Sequence, residues 1–164
     1  MTQSPLTLRR WKRVEYDRLV SLGVFECDPI ELIGGQLVVA EPQGTYHASA
    51  IRAVAHALRG VLPAEWMLDI QLPVSLDDES EPEPDLAVVP GRPADYRHAH
   101  PARPVLAIEV AESSLTFHRE HKGSPDSSTP YGWSYRSVTT LAPPAVVTPL
   151  AFTALQIAVA DLLP

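Results

Sequence analysis

Two apolar runs, PDLAVVP at residues 84–90 and PVLAIEVAES at residues 104–113, constrain this chain more than any other feature. Both read as buried strands. The first is closed by proline at each end, and the second is so nearly continuous in apolar residues that it belongs in the middle of a sheet. Each run carries one carboxylate, Asp85 in the first and Glu109 in the second. A carboxylate inside VLAIEVA is expensive to bury unless it is paired or bound to a cation. For Asp85 the plainer reading is an aspartate ending a turn after Pro84. Presented side by side from neighbouring strands, the two instead make a site for a divalent metal.

The remaining pattern gives these strands their surroundings. Arg10 to Leu22 has apolar residues at roughly helical spacing and stops near Gly23, as a short amphipathic helix does. Apolar runs on either side of Gly34–Gly35 predict a hairpin. From His47 to Leu62, Ile51, Val54, Ala55, Leu58, Val61 and Leu62 recur at three and four, which predicts a helix that Pro63 closes. EWMLDIQLPVSL alternates as a strand, hairpin-paired to PDLAVV through an acidic, solvated turn at residues 77–83. Weak strands are expected at residues 134–141, 145–150 and 156–162. No internal repeat is found.

With 164 residues, 45% of them hydrophobic, the chain can bury one sizeable core, so one domain over residues 1–164 is expected. No stretch approaches the roughly 20 apolar residues of a membrane span, and the first residues lack the apolar core of a signal peptide, so a cytoplasmic protein is expected. A lone cysteine, Cys27, excludes an internal disulfide; its neighbour Phe25 suggests a half-buried thiol. The net charge of −7 argues against gripping nucleic acid by charge alone, whereas an enzyme that binds cations tolerates such acidity. His98 and His100 have no acid or cysteine at ligand spacing and are weak metal candidates.

Phosphodiester hydrolysis needs a cation that polarises the phosphate and lowers the pKa of the attacking water, and Mg²⁺ takes one or two carboxylates plus waters. Asp85 and Glu109 suit that role, with the backbone carbonyl of Val110 at a third ligand position. A lysine close by, for which Lys122 is the candidate, would stabilise charge on the attacked phosphate. Next to Gly123, a solvated lysine at a helix end is the plainer reading.

The order ELIGGQLV, a His-led helix, EPDLAVV, then LAIEVAESS and a nearby lysine resembles the Uma-two restriction endonucleases of the PD-(D/E)XK nuclease superfamily. The resemblance covers about residues 9–122, and IAVADLLP resembles the family's C-terminal end. It implies an α/β (α+β) fold, a restriction-endonuclease-like core of a helix packed on a mixed β-sheet. It also implies Asp85, Glu109 and Lys122 as catalytic residues, with Glu31 and His47 supporting. Mg²⁺, with Mn²⁺ as the alternative, would be the cofactor and DNA the substrate. Position 111 is Ala where the simple motif has its lysine, so that role falls to Lys122 on the following helix, and His118 stands where relatives carry an acid. After Lys122 the chain passes to a proline-rich segment where similar proteins continue through a helix and a strand. An internal deletion is therefore expected to leave the sheet incomplete after its third core strand. The alternative function is a degenerate, non-catalytic remnant whose bare sheet edge serves as a binding or oligomerising module, for instance in a homodimer.

Overall fold

In the computed structural model, residues 7–40, 42–102, 104–111, 114–121, 135–147 and 156–163 are described. Helix α1 spans Arg13–Ser21, followed by β1 (Ile30–Ile33) and β2 (Gln36–Val39). These two strands form a hairpin closed by Gly34 and Gly35, which have φ of 55° and 75°. Successive positive φ values are what a tight two-residue turn needs. Glycine at position 35 has a second reason, because a Cβ there would lie 2.5 Å from the Cβ of Arg10.

Helix α2 (Thr45–Arg59) buries Ala50, Ile51, Val54, Ala55 and Leu58, the three-and-four stripe expected of it. It packs on a sheet of β3 (Trp66–Ile70), β4 (Leu86–Pro90), β5 (Leu106–Val110), β6 (Leu115–His121) and β7 (Tyr135–Leu141), in that spatial order. The two apolar runs are thus adjacent strands, with the second at the centre. The α+β architecture of a helix on a sheet is as expected. Where a mixed sheet was expected, all four pairings are antiparallel. Each strand follows its spatial neighbour in sequence, and a parallel pair would need a crossover of a dozen or more residues, usually helical.

One face of the sheet forms the main core. Leu86, Ile108, Leu115 and Phe117 lie there against α2, each at most 2% exposed. Burying a side chain of that size contributes about 1.5–3 kcal/mol. On the other face Val74 and Leu76 cover Ala87 and Val89, which explains why β4 is apolar on both sides.

Four further sequence expectations change. Residues 115–121 form β6, so the helix implied to follow His118 and bear Lys122 is not formed over residues 119–121, and its remainder lies outside the described residues; β6 pairs with the edge of β5 that the expected deletion would have left bare. The acidic run is only partly solvated: Glu81 is 4% exposed and accepts a hydrogen bond from Ser75 Oγ at 2.8 Å. Cys27 is exposed, not half-buried. Of the late strands, Tyr135–Leu141 forms as expected, but only Val146–Val147 and Ile157–Ala158 pair in the other two segments, and residues 148–150 lie outside the described ones. Among the described residues, no helix is long and apolar enough to cross a membrane.

Candidate active site

The pairing of Leu86 with Ile108 brings Asp85, the residue before β4, level with Glu109 on β5. Gln71 donates its backbone N–H to the Asp85 carbonyl at 3.2 Å, and Glu109 pairs with Thr116. A polar row, Gln71–Asp85–Glu109–Thr116, therefore crosses the sheet one residue beyond the apolar row Ile70–Leu86–Ile108–Phe117. Side chains alternate faces along a strand, so this single step separates the core from the site.

Asp85 is 4% exposed, and three groups offset the burial of its carboxylate. Val110 N–H donates to Oδ2 at 2.8 Å. On Oδ1, His47 Nε2 donates at 2.8 Å and Gln43 Nε2 at 3.2 Å. Gln43 is itself held by Gln71, whose Nε2 donates to its Oε1 at 2.7 Å. His47 stands in the first turn of α2, so helix packing on the sheet brings the imidazole to the carboxylate. Val110, expected to offer its carbonyl to a metal, contributes its amide to the positioning of Asp85.

Glu109 is the exposed residue of an otherwise buried strand. Its carboxyl opens to solvent but is crowded by protein on its remaining sides. That loss of hydration, then the charge of Asp85, pushes its pKa up to about 8, while a hydrogen bond from the Asp85 backbone pulls the other way. Glu31, half-buried on β1, is also raised, first by burial and partly by Asp85, although the Glu83 amide on its Oε2 at 3.1 Å opposes this. Glu31 thus lies within electrostatic reach of Asp85.

Asp85 before β4, Glu109 of β5 and His47 of α2 come together, Glu31 of β1 lies within electrostatic reach, and Lys122 lies outside the described residues. Gln43 and Gln71 were missed. Neither has a charge or a spacing that marks it, and Gln71 is distinguished only by its φ of 51°, a tertiary property. His100 sits 3.9 Å from Glu81, away from this cluster. Among the described residues no group of three or more His, Cys, Asp or Glu is gathered to hold a metal ion. The donors that do fit are the hard carboxylate oxygens of Asp85 and Glu109. Two mutually repelling carboxylates completed by waters are the kind of set Mg²⁺ takes.

Residues 14–124 match the family described as "Uma2: Putative restriction endonuclease". The chain belongs to this family. Among solved structures, "a putative nuclease belonging to DUF820 from Anabaena variabilis ATCC 29413" is similar in fold, with a TM-score of 0.55 at 14% identity over 81% of this chain and 88% of that one. No curated protein matches the sequence. Within the Uma2 match lie all the residues of the polar row, together with Glu31 and His47.

Proposed function

We propose that this Uma2-family chain is a metal-dependent endonuclease that hydrolyses DNA phosphodiester bonds in the cytoplasm, with Asp85 and Glu109 as ligands for Mg²⁺ or Mn²⁺. The observation that carries the reading is the pair itself: two carboxylates level across adjacent strands, the second held up toward neutral pH beside the first. Anions are crowded in this way where a cation is meant to lie between them. When bound, the cation would polarise the phosphate and acidify the attacking water.

The chain's own residues do the rest. His47, Gln43 and the Val110 amide hold Asp85 in one orientation, so its free lone pairs face a fixed direction. Glu109 can carry or release a proton near neutral pH, and Glu31 adds to the negative field. Lys122 is proposed to stabilise charge on the attacked phosphate.

The test is cleavage of supercoiled plasmid in Mg²⁺ or Mn²⁺ by the wild type and by Asp85→Asn and Glu109→Gln. Losing one metal ligand is expected to lower the rate at least a hundredfold, about 2.7 kcal/mol of barrier. Unchanged cleavage by both variants would end the proposal. A second reading, a non-catalytic binding or oligomerising module, loses its bare β5 edge to β6 and keeps in its favour the alanine at position 111, where the simple motif has its lysine. It predicts no cleavage by the wild type in either metal.

A further inference from the structure

The cations that stand out most in the sequence, those near α1, are already engaged. Lys12 Nζ lies 2.6 Å from Glu79, Arg13 Nη1 lies 3.8 Å from Glu81, and Arg9 pairs with Glu15. A different set is open. Helix α2 lies against β3, the edge strand of the sheet, and a cavity of about 450 Å³ is lined by Arg52, His56 and Arg59 of the helix and by Gln43 and Gln71. The three helix residues follow one another at i, i+4 and i+7, so they form one exposed stripe beside the buried Ile51–Leu58 face. Among the described residues neither Arg52 nor Arg59 has an acidic partner. In a chain of net charge −7, two arginines held without acids beside a cavity form a site for an anion.

The position of the cavity says which anion. Gln43 and Gln71 line it and are also the pair whose hydrogen bonds run to Asp85, so the cationic stripe leads to the carboxylates. From Arg52 to Arg59 the helix rises about 10 Å. That length lets the stripe meet two successive phosphates along one strand. Guanidinium groups match phosphate oxygens in a two-pronged geometry. We propose that the groove between α2 and β3 is a track for the phosphate backbone of a DNA strand, held by Arg52, His56 and Arg59 and directed to Asp85 and Glu109. The track rests on the hydrolase reading for its destination, although its binding can be measured separately.

The measurement is fluorescence anisotropy of a labelled DNA duplex in EDTA, where no divalent ion supports cleavage, across a salt series. Three variants are compared with the wild type: Arg52→Gln/Arg59→Gln, the charge-matched control Arg18→Gln/Arg97→Gln, and Asp85→Asn, with circular dichroism checking their folding. The groove variant is expected to bind at least tenfold more weakly, and the slope of log K against log salt should fall by about 0.9 for each phosphate that is no longer neutralised. The control should bind as the wild type does, and Asp85→Asn, which removes a negative charge where the strand is directed, should bind at least as tightly. Equal affinity and slope for the groove variant, an equal weakening in the control, or no binding by the wild type at low salt would overturn the track. If Asp85→Asn loses cleavage while the groove variant binds normally, the track falls and the hydrolase reading stands. Weakened binding by the groove variant with full cleavage by Asp85→Asn keeps the track and ends the hydrolase reading.

Discussion

Glu109 shows at the scale of one residue how a site can work against the fold that holds it. Its folded pKa, about 8, lies above the ordinary carboxylate value, so the folded chain binds this proton more tightly than the unfolded chain does. Stability from this group is therefore full below the unfolded pKa and is lost as pH rises toward 8. In EDTA, Glu109→Gln should remove that loss. Its melting temperature is expected to exceed the wild type's at pH 8–9, with the gap closing toward pH 4.5. Parallel curves across that range would show that the carboxyl is not perturbed. Asp85 stands opposite in kind, since its burial is matched by donors from His47, Gln43 and Val110. The sequence displayed both carboxylates and His47 but not their partners, because hydrogen bonds from Gln43 and the Val110 amide depend on where chain segments cross.

Among the elements, β6 decides most. Its last three residues lie where a helix was implied, and its Leu115 and Phe117 pack into the main core opposite Ile108. The alternation in LTFHREH explains the strand: Leu115 and Phe117 fall on the core face while Thr116 and His118 fall on the other. Phe117→Ala should accordingly destabilise the chain by about 3–5 kcal/mol, as deletion of a buried aromatic ring does. Urea unfolding would measure it, and a loss under about 1 kcal/mol would mean that this strand is not packed on the core. By contrast α2, β4 and β5 were legible in the sequence. Their apolar periodicities are strong, and each period admits one way of burying the face it creates.

At the scale of the whole molecule, two carboxylates stand level on adjacent strands, with Glu31 in electrostatic reach, in a chain already carrying net charge −7. A bound cation would relieve that local repulsion, so Mg²⁺ should stabilise the fold by linkage. At a free concentration one hundred times Kd the gain is about 2.7 kcal/mol, which raises Tm by roughly 5–10 °C for a chain of this size. Asp85→Asn/Glu109→Gln should show no such rise. An equal rise in that variant would place the ion elsewhere.

Hydrophobic periodicity, a local property, determined the helix-on-sheet class and the two apolar strands that carry Asp85 and Glu109, and the pairing of Leu86 with Ile108 in the tertiary structure made those strands neighbours. Tertiary structure alone decided that every pairing in the main sheet is antiparallel, that β6 closes the edge of β5, and that Gln43, Gln71 and His47 reach the neighbourhood of Asp85. It also decided which cations lack acids: Lys12 and Arg13 near α1 meet acids more than sixty residues away, while Arg52 and Arg59 meet none among the described residues. Burial patterns are written into neighbouring residues. Charge compensation depends on which distant residues the fold brings within reach.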